Sequence, residues 1–199
     1  MKFIESGTGE FTLEHLTDSE ENRRLICNFA SGNNAFGLEQ YLKDLALEDE
    51  NLWESRTYLV KDSFTRDLAC YFSLRTCLVP LSIGNGKFFT VPGVELANFA
   101  VNEAYRQAER EKGRVTKKIG AYVFSQFILP ISRHVAEFVG AKWLCIYAIP
   151  EAKLLEYYSR LGFRRLDRQQ EDFVYGHVKP EYDQNCIFMY QSIKPSSPI

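Results

Sequence analysis

The spacing of apolar residues changes several times along the chain, and each change marks an element. From Phe11 to Glu50 the spacing is helical: Leu25, Ile26 and Phe29 form one stripe, and Leu38, Tyr41, Leu42, Leu45 and Ala46 form a second. Asp18 and Ser19 ahead of Glu21 read as a helix start, and Ser31-Gly32-Asn33-Asn34 reads as the turn between two helices. The whole segment from Phe11 to Glu50 is therefore expected to be helical. From Arg56 the period shortens. Thr57-Tyr58-Leu59-Val60 and Leu68-Ala69-Cys70-Tyr71-Phe72-Ser73-Leu74 are predicted strands, with Lys61 to Asp67 as the polar hairpin between them. Ser82 to Lys87 reads as an exposed Gly/Asn loop.

A strand is expected over Val94–Val101, followed by a very polar stretch from Asn102 to Arg114. A long apolar helix then begins near Lys117, with Ile119, Tyr122, Val123, Phe127, Ile131, Val135 and Phe138 on or near one side. Pro130 should kink or split it, because proline lacks the N–H and its ring crowds the preceding turn. Trp143–Ala148 is continuously apolar, as a central strand would be. Pro150 is placed to open a helix from Glu151 to about Leu161, and Gly162 to close it. A last strand over Cys186–Ile193 precedes a Pro195-Ser196-Ser197-Pro198 tail. Neither an internal repeat nor an interdomain linker is visible. This order predicts a single α/β domain over residues 1–199, with a mixed sheet flanked by helices.

Composition narrows the function. The formal net charge is −2, whereas a protein that binds mainly by neutralising phosphates carries a clear basic excess. Dedicated nucleic-acid binding is thus disfavoured. Cys27, Cys70, Cys77, Cys145 and Cys186 form no C-x-x-C pair, and an odd number makes a poor disulfide framework. Reduced thiols in a cytosolic protein are expected. His15, His134 and His177 make no H-E-x-x-H pattern, so no metal site is expected. The first residues lack an apolar run of signal-peptide length, and nothing later is long enough to span a bilayer, so a cytoplasmic location is expected.

Two places could carry chemistry. A strand ending at Val101 that feeds a helix near Lys117 directs unpaired backbone N–H groups and a positive dipole end at one spot, which suits phosphate. Thr116, Lys117 and Lys118 occupy the first turn, and Gly120 allows close backbone approach. Lysines there oppose the helix dipole unless an anion compensates them; the alternative is an exposed, solvated first turn. The second place is Leu154-Leu155-Glu156-Tyr157-Tyr158-Ser159-Arg160-Leu161-Gly162-Phe163, where Tyr158 is either a packing residue with its hydroxyl at the rim or an acid.

On these residues the chain resembles the GNAT N-acetyltransferase family. Tyr157-Tyr158-Ser159-Arg160-Leu161-Gly162-Phe163 is similar to its F-Y-x-k-x-G-F ending, Leu96-Ala97-Asn98-Phe99-Ala100-Val101 to its fourth strand, and Lys117-Lys118-Ile119-Gly120 to the end of its pyrophosphate loop. Phe29-Ala30-Ser31-Gly32 with Leu38-Glu39-Gln40-Tyr41-Leu42 resembles the opening of the branch that includes toxins of bacterial toxin–antitoxin pairs. The resemblance covers roughly residues 25–193. It implies a mixed, mostly antiparallel central sheet flanked by helices, and acetyl-CoA as co-substrate without a metal. It also implies that the backbone of Phe99, Ala100 and Val101 holds the pantetheine arm, and that Thr116, Lys117, Lys118, Ile119, Gly120 and Ala121 hold the pyrophosphate. Tyr158 would protonate the departing thiolate. Glu95 is the acid chosen as general base, directly or through water, its plainer alternative being a solvated strand-end carboxylate. The loop departs from the family's Q/R-x-x-G-x-G at Val115 and Lys118, and Glu151 stands where Asn often precedes the last helix. The charged stretch from Asn102 to Arg114 is longer than the family norm. It reads as a solvated helical extension rather than a flap over the phosphates.

The leading expectation is N-acetyl transfer from acetyl-CoA to a primary amine of a small molecule or protein. The alternatives are a toxin-like enzyme acting on aminoacyl-tRNA, against which the net charge argues, and a GNAT-fold binding or regulatory protein without turnover. The oligomeric state stays open, a homodimer included.

Overall fold

The computed structural model describes residues 10–32, 35–111, 119–178 and 185–194. Within them β1 (Phe11–His15), β2 (Arg56–Asp62), β3 (Leu68–Gly84), β4 (Lys87–Val101), β5 (Trp143–Ala148) and β6 (Ile187–Ser192) form one six-stranded sheet, ordered in space as in sequence. β1–β2, β2–β3 and β5–β6 are antiparallel and β4–β5 is parallel, so the sheet is mixed, as expected. The residues gather into two compact units. One holds the chain up to Arg75 together with Asn98–Leu129, and the other holds Thr76–Ala97 together with the chain from Pro130 onward.

In the first unit the opening segment is not helical throughout. Phe11 and Leu13 are buried while Thr12, Glu14 and His15 are less so, a period of two that makes β1 a strand against β2. Helix α1 (Glu20–Cys27) starts where expected: Ser19 Oγ accepts the N–H of Asn22 at 3.1 Å. α2 (Phe36–Gln40) runs through a π-helical turn, Tyr41–Leu45, into α3 (Ala46–Leu52). Leu42 and Ala46 pack with Phe29, Leu59, Leu68 and Tyr71.

Lys61 is not in a solvated hairpin. It lies on β2, fully buried, and its Nζ donates to Glu14 Oε2 at 2.6 Å and Asn22 Oδ1 at 2.9 Å. These acceptors lie far away in sequence and make its burial tolerable. The polar stretch after β4 forms α4 (Glu103–Glu111), with Tyr105 and Glu109 buried. Asn102 anchors its start: Oδ1 accepts from the N–H of Ala104 at 3.1 Å and Nδ2 donates to the Leu68 carbonyl at 2.7 Å.

Among the described residues the long helix runs as α5 (Ile119–Val123), a π turn over Phe124–Ile128, and α6 (Leu129–Val139); its expected start near Lys117 lies outside them. Pro130 therefore neither splits it nor acts alone. The wide turn immediately before it rearranges the carbonyls that a proline in regular helix would strand.

In the second unit the expected loop over Ser82 to Lys87 shrinks to its tip. β3 runs to Gly84 and β4 starts at Lys87, and Asn85 and Gly86 have φ of 53° and 70°. With Gly84 at φ 85°, three successive residues have positive φ, which Gly84-Asn85-Gly86 supplies in a tight hairpin. α7 (Ala152–Arg160), β5 and β6 lie where expected, and β5 pairs with β6 antiparallel. α8 (Arg168–His177), capped by Asp167, was not anticipated. Its Val174 packs with Val79, Val91, Cys145 and Phe188, and the Gln170 amide pairs with both backbone groups of Ser82 at 2.8 and 2.9 Å. Among the described residues no helix is long and apolar enough to cross a membrane.

Candidate functional site

Three residue pairs join β4 to β5: Gly93↔Trp143, Val94↔Leu144 and Glu95↔Cys145. Gly93 makes the approach possible. A Cβ there would lie 2.9 Å from both Cys77 Sγ and the Trp143 carbonyl, and 3.4 Å from Cys145 Sγ. The thiols of β3 and β5 fill the space a side chain on β4 would take. A glycine inside a strand pattern signals such an approach, and that signal was readable in Val91-Pro92-Gly93-Val94.

Glu95 stands at the last rung and is only 4% exposed. The solvated strand-end carboxylate is thus replaced by a buried one. Its charge is felt on β5. Burial, and then Glu95, push the Tyr147 phenol above its ordinary pKa. The Cys145 thiol is raised as well, by its hydrogen bond with Cys77 first, then by burial, and least by Glu95. Beyond the rung β5 continues through Ile146, Tyr147 and Ala148 with β6 as its partner. Tyr147 was not singled out by the sequence. Its place two residues past the Glu95 rung, on the same face as Cys145, follows only from the register.

Tyr158 lies on α7, 8% exposed, its ring edge-on to Tyr157 at 5.4 Å and Phe163 at 5.7 Å. Its carbonyl accepts from the N–H groups of Leu161 at 3.0 Å and Phe163 at 3.1 Å. Gly162, at φ 98°, turns the chain so that Phe163 is buried and Arg164 exchanges two 2.9 Å backbone bonds with Tyr190 on β6. The Tyr-x-x-x-Gly-Phe pattern is thus a helix ending that returns the chain to the sheet, with Tyr158 held at its last turn.

Of the other predicted residues, Phe99, Ala100, Val101, Ile119, Gly120 and Ala121 lie in the first unit. Ala100 is buried in the cluster around Leu59 and Tyr71, and Phe99 and Val101 are half-buried. Ile119, Gly120 and Ala121 open α5, with Ile119 buried. Thr116, Lys117 and Lys118 lie outside the described residues. Among the described residues no group of three or more His, Cys, Asp or Glu side chains could hold a metal ion.

The sheet order, the short parallel β4–β5 ladder and the helix pattern define a GNAT-like α/β fold. Solved structures with this fold include the toxin AtaT and the protein KacT. No family model matches the sequence. A tyrosine-to-phenylalanine mutant of AtaT superposes with a TM-score of 0.67 at 16% identity, covering 96% of this chain and 94% of the toxin. The same kind of mutant of KacT gives 0.65 at 17% identity, covering 92% and 95%. AtaT bound to the C-terminus of the antitoxin AtaR and acetyl-CoA gives 0.63 at 17%, covering 92% and 94%. AtaT complexed with acetyl-methionyl-tRNAfMet gives 0.62 at 17%, covering 90% and 94%.

Proposed function

We propose that this protein is an acetyl-CoA-dependent N-acetyltransferase that acetylates a primary amine of a small molecule or protein. The observation that carries the reading is the β4–β5 ladder, with its last rung at the buried Glu95. The ladder to β5 ends at Glu95, and an extended ligand would pair with β4 beyond that rung as an added strand. The likeness to AtaT, which has been solved with acetyl-CoA, supports that ligand.

In the proposed reaction a neutral amine attacks the thioester carbonyl carbon. The C–N bond forms, the C–S bond breaks, and the sulfur leaves as thiolate. Tyr158 donates its phenolic proton to that thiolate, and Glu95 accepts the proton released by the amine, directly or through water. Both groups then re-equilibrate with solvent. The backbone of Phe99, Ala100 and Val101 would hold the pantetheine arm. That suits Ala100, whose side chain is committed to the core. Backbone amides from Thr116 to Ala121 would hold the pyrophosphate at the start of the long helix.

A second reading makes the acceptor the amino group of aminoacyl-tRNA. The AtaT complex with acetyl-methionyl-tRNAfMet supports it, and the net charge of −2 weighs against it.

Thermal stability in acetyl-CoA and in free coenzyme A, followed by thiol release over a panel of amines and aminoacyl-tRNA, tests both. Acetyl-CoA should raise the Tm of wild type and of Tyr158→Phe alike, while the variant loses roughly a hundredfold in thiol release. No Tm shift at millimolar ligand would refute the enzyme reading. Release confined to aminoacyl-tRNA would favour the second acceptor.

A further inference from the structure

The end of α3 presents an apolar surface to solvent in the first unit. Leu45, Leu52 and Trp53 are 50%, 60% and 81% exposed. Leu45, Glu48 and Leu52 are spaced three and four apart and share one helix face, and Trp53 follows directly. Asp44 and Glu54 flank it and Glu48 stands between the two leucines; all three are exposed carboxylates, and among the described residues none of the three enters an ion pair. The neighbouring cations are engaged. Lys43 is held by Glu39 at 2.6 Å, and the Arg56 guanidinium lies 4.0 Å over one face of the Trp53 ring while donating to Glu50 at 2.7 Å.

Trp53 occupies a place where folding alone would favour glycine. Its φ is 64°, in the left-handed region, and the helix is closed there by the Trp53 N–H to Glu50 carbonyl bond at 3.3 Å and the Glu54 N–H to Asp49 carbonyl bond at 2.9 Å. Left-handed backbone disfavours a bulky residue relative to glycine. Holding an indole there, stacked on one side and mostly exposed, serves no core. It does supply what protein recognition uses most, a large rigid apolar anchor beside a charged rim.

We propose that Leu45, Leu52 and Trp53, with the rim of Asp44, Glu48 and Glu54, form a docking face for a basic, apolar-faced segment of a partner protein. The acidic rim selects the chemistry. It repels phosphate, which disfavours a nucleic acid, and a symmetric contact with a second copy would bring like carboxylates together. Lysine or arginine flanking leucine-like side chains meets both the rim and the centre.

The test uses the full chain and a fluorescently labelled synthetic Leu/Lys amphipathic peptide, read by anisotropy. A Leu/Glu peptide, oligolysine and a labelled single-stranded oligonucleotide serve as comparisons. The Leu/Lys peptide should bind saturably, and the three comparisons roughly tenfold more weakly or not at all. Trp53→Gly should weaken Leu/Lys binding roughly tenfold while its Tm stays equal to wild type or rises, since glycine relieves the left-handed backbone. Glu48→Lys combined with Glu54→Lys should weaken it as much without touching Trp53. Equal binding of the Leu/Lys and Leu/Glu peptides would overturn the proposal, as would unchanged Leu/Lys binding in both variants. So would an oligonucleotide or a self-association signal that is lost in Trp53→Gly.

Discussion

At Glu50 burial and hydrogen bonding pull in opposite directions. Burial favours the neutral carboxyl, but bonds from His15 at 2.9 Å, the Thr57 N–H and Arg56 at 2.7 Å outweigh it, and the carboxyl sits below its ordinary value of 4.5. A carboxylate depressed on folding adds stability that is present above the unfolded pKa and lost as pH falls through the folded one. Urea unfolding against pH should therefore show stability falling below about pH 4.5, with a shallower fall in Glu50→Gln. Glu14, also depressed, keeps the variant's slope from vanishing. Tyr147 gives a second check. Removing the negative charge in Glu95→Gln makes the phenol easier to ionise, so its ultraviolet titration should move to lower pH. If the titration does not move, the two side chains are not electrostatically linked. Gly93→Ala should cost about 1–3 kcal/mol in urea unfolding, because its Cβ would meet a backbone carbonyl that cannot move aside. Of these residues only Glu95 was singled out in the sequence. Its type and place on a strand were readable, but its burial was not.

Elements were legible where their signals are local. The stop at Gly162 is one, and Gly162→Ala should destabilise the chain by about 1 kcal/mol or more, since φ of 98° suits no L side chain. If Tyr158 acts as proposed, that variant also loses thiol release beyond its loss of stability, as the turn that holds Tyr158 is displaced. The strand β1 is hard to see in the sequence because its five alternating residues stand ahead of the strong helical period of Leu25 to Ala46. β2 was cut short because Lys61 looks like a solvent residue. The π turn before Pro130 shows a local conflict resolved locally. Proline alone predicts a kink or a split, and with a widened turn ahead of it the chain stays helical on both sides of Pro130. No apolar stripe announces α8, because most of its residues are polar.

For the whole molecule, binding and stability are linked. If acetyl-CoA binds only the folded chain, ligand at about a hundred times Kd adds about 2.7 kcal/mol. For a chain of this size that corresponds to a rise in Tm of roughly 5–10 °C, measurable by calorimetry. The sequence by itself determined the run of most strands and helices, the α/β class and the Tyr158–Phe163 helix ending, because periodicity and turn chemistry are set by residues a few places apart. Tertiary structure alone decided that Lys61 and Glu95 are buried, that β1 joins the sheet, that Gly93 makes room for Cys77 and Cys145, and that Trp53 is left to solvent. Each of these depends on which distant residues supply partners, space or cover, and local spacing carries no record of them.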